Sequence, residues 1–231
     1  MQSFSETISG VNAGDIYTVT ATATVDLGGG NYGSTSEFSR SFPNAILAAE
    51  QDTYLNSDSS GSNYGVSDSL VVDKSGGELG DQRTLLQFDL TGLPPGATIT
   101  NATLVLYASS NTGAFNVNAY RLTNPWDEGL GNASADAASW DDRQDGQAWD
   151  NVDGGGDVDL NTIDTVNTSS TGEHAWDVTS LATDWYNTPA NNFGLILASP
   201  DSGSESVTYD SKEGTTAPRL LLTYTVTGGN N

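Results

Sequence analysis

The segment from Arg83 to Tyr107, "RTLLQFDLTGLPPGATITNATLVLY", decides the fold class. Its first eight residues form an almost continuous apolar run, which is typical of a strand in the middle of a β-sandwich. The prolines of "LPPGAT" are incompatible with a central strand, so this stretch predicts a turn. The runs "ITNATLVLYAS" and "FNVNAYRLT", joined by "SNTGA", then predict a pair of strands.

The same pattern of short apolar runs and turn-rich gaps continues on both sides of this segment, from "DTYLN" to "PRLLLTYTV". One helix is expected over about residues 178–187, with Asp177 as its N-cap. The apolar residues at helical spacing are Val178, Leu181, Ala182 and Trp185. The sequence therefore predicts an all-β fold, a jelly-roll-like antiparallel β-sandwich with one short helix.

Residues 1–43 differ from the rest of the chain. The stretch "DIYTVTATATVD" alternates with a period of two, which predicts a strand, and "EFSRSF" predicts a returning strand. The positions Gly14, Tyr17, Val19 and Ala21 are similar to the closing half of a fibronectin type III domain. So few strands cannot bury a core alone, so this N-terminal β-strand segment either packs on the main sheet or exchanges with a neighbouring protein. We expect a linker at 44–47, the sandwich at 48–226 and a flexible tail at 227–231.

The charge balance excludes several classes of partner. Thirty acidic residues against seven basic ones give a net charge of −23, which repels nucleic acid and anionic membranes. The sequence has no apolar run of 18 residues, so no membrane insertion is expected. With no cysteines, disulfides and thiolate metal sites are excluded.

Several phrases in the chain carry a more specific resemblance. They are "DTYL", "NYG", "SLVV", "RTLLQFDLTGLPPGATITNATLVLY", "YRLTNPWDEG", "SWDD", "GGGDVD", "WDVTSLATDWYN", "FGLILAS", "YDSKEG" and "PRLLLTY". Over residues 48–226 this succession resembles the DNRLRE-type module, a disaggregatase-related extracellular β-sandwich, although no literal DNRLRE hexapeptide is present. The resemblance implies a non-catalytic module similar to those that bind alginate and related glycans. With two lysines and five arginines, the chain suits a uronate polymer only if calcium bridges the carboxylates.

Two groups of acidic residues are candidate calcium ligands, because Ca²⁺ prefers oxygen ligands from carboxylates and loop carbonyls. One is the glycine-rich loop "WDNVDGGGDVD", which lacks the EF-hand pattern. Its candidate ligands are Asp153, Asp157 and Asp159. The other is Asp52 with Glu213, which lie near the first and last strands of the sandwich and meet if those strands are neighbours.

A sugar-binding site needs an exposed aromatic ring, because the apolar face of a pyranose packs on it. Trp149, in a polar loop beside Gly146 and Asp150, is expected to be the most exposed tryptophan, and Tyr186 at the end of the helix is the second candidate. Possible hydrogen-bonding partners of a sugar are Arg143, Arg121 and Glu128. The other four tryptophans, at 126, 140, 176 and 185, are expected to be structural.

No catalytic constellation is evident in the sequence. His174 is the only histidine and is expected to be a satisfied or exposed polar residue, and no GxSxG elbow is present. Paired carboxylates stay open as an alternative, because spacing in sequence does not give spacing in the fold.

The sequence thus predicts an extracellular or cell-surface module that is not an enzyme, binds a polysaccharide or cell-surface glycan, and is stabilised by Ca²⁺. The alternative is a structural subunit of a fibre, adhesin or matrix, in which residues 1–43 pair with other copies of the chain.

Overall fold

The computed structural model describes residues 16–17, 21–23, 36–38, 44–75, 79–131, 137–151 and 154–226. Within these ranges the strands are β1 (Ile16–Tyr17), β2 (Ala21–Ala23), β3 (Ser36–Phe38), β4 (Asn44–Ala48), β5 (Gln51–Asn56), β6 (Ser69–Asp73), β7 (Leu79–Gln87), β8 (Ala97–Asn111), β9 (Asn116–Leu122), β10 (Asp142–Gln144), β11 (Gln147–Ala148), β12 (Val158–Asn167), β13 (Gly172–Asp177), β14 (Leu195–Ser199), β15 (Ser206–Asp210) and β16 (Arg219–Val226). Helix α1 spans Thr179–Asn187, and short 3₁₀ turns span Ser57–Ser59 and Pro189–Asn191.

The first sheet is organised around the long strand β8. Leu104 of β8 lies opposite Leu220 of β16 on one side and Trp176 of β13 on the other. Further along the same strand, Ala108 lies opposite Tyr209 of β15. Strands β15 and β16 therefore lie end to end along one edge of β8, and the segment that connects them leaves the sheet. Strand β6 pairs with β15, and β4 pairs with β16.

The second sheet is antiparallel, with the strand order β12-β9-β14-β7-β5. Every residue of β14, "LILAS", is buried, as expected for a strand that is covered on both faces. Leu195 and Leu197 belong to the core between the two sheets, and the intervening Ile196 belongs to a second cluster on the opposite face. The second sheet thus separates two hydrophobic clusters.

The second cluster lies under the long connection between β9 and β12. It contains Leu85 and Ile196 from the sheet, together with Trp126 and Trp149 from the connection. This covered outer face explains why β14 is apolar without alternation.

The predicted all-β sandwich with a single short helix is confirmed. The helix begins at Thr179, and its N-cap is Val178, not Asp177. The Asp177 carboxylate still accepts a hydrogen bond from the Thr179 amide, 3.0 Å away.

The N-terminal end of the described chain joins the main sheet. Residues 44–47, expected as a linker, form most of β4 instead, because their backbone pairs with β16. Ile16 and Tyr17 pair with β4 within the same chain, and β2 pairs with β3. The remainder of the predicted 1–43 segment and the 227–231 tail lie outside the described residues.

Candidate functional site

Three carboxylates meet at one end of the sandwich. Asp52 follows β4 closely and Glu213 precedes β16, and these two strands pair antiparallel, so both residues reach the same end of the sheet. Glu128 enters from the connection between β9 and β12. One carboxylate oxygen from each residue lies within 4.8 Å of those of the others. We call these three residues the acidic cluster.

Hydrogen bonds fix the orientation of the acidic cluster. The Asp52 amide donates to Glu128 Oε1 at 2.8 Å, and the Lys212 amide donates to Asp52 Oδ2 at 2.7 Å. The Lys212 ammonium lies 3.1 Å from Glu128 Oε2 and 2.6 Å from Glu213 Oε1. When all three carboxylates are ionised, the single ammonium leaves two negative charges uncompensated.

The pKa values reflect this excess of buried negative charge. Burial raises the pKa of Asp52 to about 7, assisted by the negative charges of Glu213 and Glu128 and opposed by the Lys212 amide. Burial also raises the pKa of Glu128. For Lys212, burial acts to lower the pKa, but the hydrogen bonds to Glu213 and Glu128 outweigh it and the pKa is raised. The cluster therefore favours added positive charge.

The donor chemistry of the acidic cluster fits a hard divalent cation. Ca²⁺ takes six to eight oxygen ligands in flexible geometry, and carboxylates are its usual protein ligands. Asp52 and Glu213, selected from the sequence, are brought together with Glu128, which was expected at a sugar site. The Lys212 ammonium occupies the same space, so a cation would have to displace it.

The glycine-rich loop does not expose its tryptophan as the sequence predicts. Only 5% of Trp149 is exposed, and its indole Nε1 donates to the Ser139 carbonyl at 3.0 Å. The prediction that this ring is exposed is wrong, because it packs into the second hydrophobic cluster. A Cβ at Gly154 would lie 2.8 Å from the Trp140 ring, and the loop backbone there has a positive φ of 75°. The glycines thus let the loop pack closely against the cluster.

The described aspartates of this loop, Asp150, Asp157 and Asp159, have partners within the protein. Asp157 is completely buried, and its Oδ1 accepts from the backbone amides of Asp150 and Asn151 at 2.9 and 3.2 Å. Its Oδ2 lies 3.9 Å from Arg143 Nε. Asp159 Oδ1 accepts from the Asn161 amide. The arginine supplies the cation that the loop was expected to take from calcium.

No metal-like grouping forms in this loop within the described part of the chain. In the described part of the chain, the residues grouped closely enough to hold a metal ion are those of the acidic cluster. Neither Asp157 nor Asp159 belongs to that cluster. Asp153 lies outside the described residues.

A cleft of about 660 Å³ lies beside the end of helix α1. Its floor and walls include Trp185 and Tyr186 of the helix, and its polar rim includes Glu50, Asp89 and Asn187. We call it the helix cleft. It combines an aromatic surface with amide and carboxylate groups, as expected for a small-ligand site.

Hydrogen bonds to the backbone hold the helix cleft in shape. The Tyr186 hydroxyl donates to the Pro94 carbonyl at 2.7 Å and accepts from the Ala97 amide at 3.0 Å. The Gln87 side chain donates to the Asn192 carbonyl, 2.8 Å away. These contacts make the cleft a preformed feature of the fold.

Of the residues predicted to bind sugar, Tyr186 alone lines this cleft. Arg121 pairs with Asp184, and Arg143 donates to the Pro125 carbonyl at 3.2 Å. Glu128 belongs to the acidic cluster. The predicted arginines do not converge with Tyr186, because each is engaged by its own local partner.

A second aromatic surface is formed by Tyr54 and Tyr64, both half-buried. Their rings stack with centroids 4.1 Å apart and an interplanar angle of 22°. Tyr54 follows Asp52 by two residues on β5, so this pair lies on the same face of the strand as the Asp52 carboxylate. No sequence pattern indicated this pair.

His174 is a satisfied structural residue, as expected. Its Nε2 donates to the Ser170 carbonyl at 3.0 Å, so Nδ1 accepts from the Tyr209 hydroxyl, also at 3.0 Å. Burial lowers its pKa, although the bond to Ser170 opposes the shift. Both ring nitrogens are occupied, so the imidazole is not available as a catalytic base.

The sequence profile of carbohydrate-binding module family 96 matches residues 43–224. The chain belongs to this family. No curated protein sequence matches the chain. A carbohydrate-binding family 96 module agrees with the sandwich and its preformed cleft, while the DNRLRE-type assignment stays a prediction. None of the helices in the described residues is long and apolar enough to span a membrane.

Proposed function

We propose that this family 96 module is an extracellular, non-catalytic protein that binds polysaccharide in the helix cleft. The family match supports carbohydrate as the ligand. The observation that supports this position for the binding site is the cleft of about 660 Å³, which is lined by Tyr186 and by polar side chains. Its size falls in the usual range of small-ligand pockets, roughly 300–1,000 Å³.

The chemistry of the helix cleft suits a sugar. A pyranose ring offers an apolar face that packs on an aromatic surface, and its hydroxyl groups need hydrogen-bond partners around the rim. Asn187, Glu50 and Asp89 line that rim. A rigid cleft also limits the entropy lost on binding, because its side chains are already ordered by the backbone contacts of Tyr186 and Gln87.

Binding without catalysis is favoured by the positions of the two cleft carboxylates. A glycosidase needs a general acid that burial keeps protonated. Glu50 and Asp89 are both exposed to solvent. Asp89 Oδ1 accepts a hydrogen bond from the Thr91 amide at 2.7 Å, and Asp89 Oδ2 accepts one from the Thr91 hydroxyl at 2.8 Å.

We further propose that Ca²⁺ binds the acidic cluster and stabilises the module. The support is the excess of negative charge among three buried or half-buried carboxylates, which amounts to two charges when all three are ionised. A bound Ca²⁺ would displace the Lys212 ammonium and tie the start of β5 to the loop before β16. Because such a cation binds the folded chain and not the unfolded one, it would raise the melting temperature.

The alternative function, a fibre built through residues 1–43, lacks a structural contact that favours it in the described chain. Ile16 and Tyr17 pair with Ala45 and Asn44 of β4 in the same chain, so this short part of the β4 edge is occupied within the chain.

Binding to insoluble polysaccharides tests the proposed function. Asn187→Trp places an indole over the cleft from an exposed position, so the fold is retained and a ligand is excluded. Leu130→Trp is the matched control, because Leu130 is 77% exposed and does not line the cleft. The proposal predicts that wild type and Leu130→Trp sediment with the same polysaccharide and Asn187→Trp does not. Equal sedimentation of all three proteins would place the site elsewhere.

A further inference from the structure

We infer that Tyr54 and Tyr64 form an oxidative cross-linking site, at which a peroxide-driven one-electron oxidant joins the two rings as dityrosine. The inference goes beyond carbohydrate binding and does not depend on the helix cleft. It is carried by the stacking of the two rings and by the fixed backbone on both sides of the stack. The product is a covalent link between β5 and the segment that precedes β6.

The two rings lie close together and point the same way. Their centroids are 4.1 Å apart and their planes are inclined by 22°. A hydrogen bond with the Tyr64 hydroxyl contributes to the raised pKa of Tyr54, so both hydroxyl groups lie at the same end of the stack. The ortho carbons flank the hydroxyl-bearing carbon of each ring and therefore also lie beside each other. These carbons carry unpaired spin when a phenol loses an electron, so they are the atoms that couple.

The backbone on both sides of the Tyr54–Tyr64 stack is fixed. Tyr54 belongs to β5, which pairs with β7 along its length. Beside Tyr64, the buried Asn63 side chain donates to the Glu128 and Ala138 carbonyls at 2.7 and 2.8 Å. Groups that are held in contact react at an effective concentration far above that of separate molecules. The stack is therefore preorganised for coupling within one chain.

The coupling balances with hydrogen peroxide as the terminal oxidant. A haem peroxidase removes one electron and one phenolic proton from each tyrosine, which leaves two phenoxyl radicals. The radicals join in one carbon–carbon bond between ortho carbons, and each ortho hydrogen then moves as a proton to the oxygen of its own ring. The two electrons and two protons that were removed reduce one peroxide molecule to two water molecules.

Other tyrosines are less suited to coupling within the chain. Among the residues that the structure describes, the contact between two tyrosine rings is that of the Tyr54–Tyr64 stack. Both of its side chains are half-buried, so an oxidant reaches their edges. The buried tyrosines are Tyr120, Tyr209 and Tyr224. Tyr107 is 40% exposed, so its radical is available for coupling between separate molecules.

Such a link suits the composition of the chain. The sequence has no cysteines, so a disulfide cannot stabilise the sandwich in an oxidising environment. A dityrosine bond constrains the unfolded chain as a disulfide does, and thiol reductants do not break it. It would fasten β5 close to Asp52 of the acidic cluster.

The test is oxidation of the full chain with a haem peroxidase and hydrogen peroxide over a range of protein concentrations. Endoproteinase Asp-N then cleaves before Asp52, Asp58 and Asp68, which separates Tyr54 from Tyr64 in the peptides 52–57 and 58–67. Mass spectrometry of the monomer detects the two peptides joined with the loss of two hydrogen atoms. Dityrosine fluorescence follows the rate of bond formation.

The variants are Tyr54→Phe and Tyr64→Phe, which keep a ring at each position of the stack. The matched control is Tyr107→Phe, because Tyr107 is exposed and lies outside the stack. Thermal unfolding before oxidation verifies that each variant is folded.

The expected result is a joined 52–57 and 58–67 peptide in wild type and in Tyr107→Phe, at a rate that does not depend on protein concentration. Tyr54→Phe and Tyr64→Phe should each reduce the dityrosine in the monomer on the order of tenfold or more. Dityrosine confined to dimers and lost in Tyr107→Phe would overturn the inference. So would an oxidised wild-type monomer without the joined peptide, or monomer dityrosine that persists in Tyr54→Phe. The assay contains no carbohydrate, so none of these outcomes bears on the proposed function.

Discussion

The acidic cluster and the glycine-rich loop at 149–159 both place carboxylates against the protein interior, yet they neutralise them differently. In the loop, two backbone amides and a nearby arginine surround the buried Asp157 carboxylate. In the cluster, one ammonium faces three carboxylates, and the pKa of Asp52 is raised to about 7 by burial. The number of aspartates in a segment therefore does not indicate a cation site. We propose that the charge left over after internal pairing is the better indicator of a cation site.

The largest expected effect tests whether the loop is part of the core. Trp149→Ala removes a ring that is 5% exposed, so we expect a loss of about 3–5 kcal/mol in the free energy of unfolding. Urea denaturation measures it. Leu130→Ala, at a position 77% exposed, is the control and should change stability by less than about 0.5 kcal/mol. A Trp149→Ala protein of normal stability would restore the view of this ring as an exposed platform.

The next largest effect on stability is expected from the buried Asp157 carboxylate of the glycine-rich loop. Asp157→Asn exchanges a completely buried acceptor for an amide whose NH₂ group faces donors, and we expect a loss of about 2 kcal/mol. Asp159→Asn is the matched control in the same loop, since Asp159 is only half-buried and bonds to Asn161. Thermal and urea unfolding compare the two variants. Equal stability of both would show that Asp157 has no special role.

Calcium should raise the melting temperature by binding the acidic cluster, and the glycine-rich loop should not contribute to this increase. At Ca²⁺ ten times above its Kd, the stabilisation is about 1.4 kcal/mol, which corresponds to roughly 3–5 °C in Tm. Differential scanning calorimetry in EDTA and in Ca²⁺ measures this shift. Glu213→Gln should abolish the shift, and Asp157→Asn should retain it. The opposite pattern would move the cation site to the loop.

The smallest expected effect concerns His174, a buried titratable group whose partners are both neutral. Burial lowers its pKa, so the unfolded chain binds more protons than the folded chain below about pH 6.5. Stability is therefore complete above that pH and falls as the pH decreases through the folded pKa. Between pH 7 and 5 the wild type should therefore lose more stability than His174→Gln. If the stability of both proteins changed equally with pH, His174 would have no part in the pH dependence of stability.

The sequence was sufficient for the fold class and for the position of the helix, because the apolar runs and the spacing of the helix reflect which faces are buried. It also placed Asp52 beside Glu213, since both flank strands at the ends of the sandwich that pair with each other. Glu128 could not be assigned to that cluster, because its connection has no periodicity from which its path over the sheet can be inferred.

Trp149 was misplaced for a related reason. It lies in a polar loop beside Asp150, and the polarity of a loop along the chain does not show what packs above it. The one signal was the run of glycines, since Gly154 allows close approach to the Trp140 ring. The helix cleft combines residues from separate turns, so Tyr186 alone could be selected in advance.

The central claim is that the ligand occupies the helix cleft, and amide chemical-shift mapping tests it most directly. An oligosaccharide cut from the polysaccharide that the chain binds is titrated into ¹⁵N-labelled protein. The account predicts that the shifts concentrate at Thr91, Gly96, Asn187 and Asn192, all of which line the cleft. Shifts concentrated around the Tyr54–Tyr64 stack or in the 149–159 loop, with the cleft amides unchanged, would contradict it.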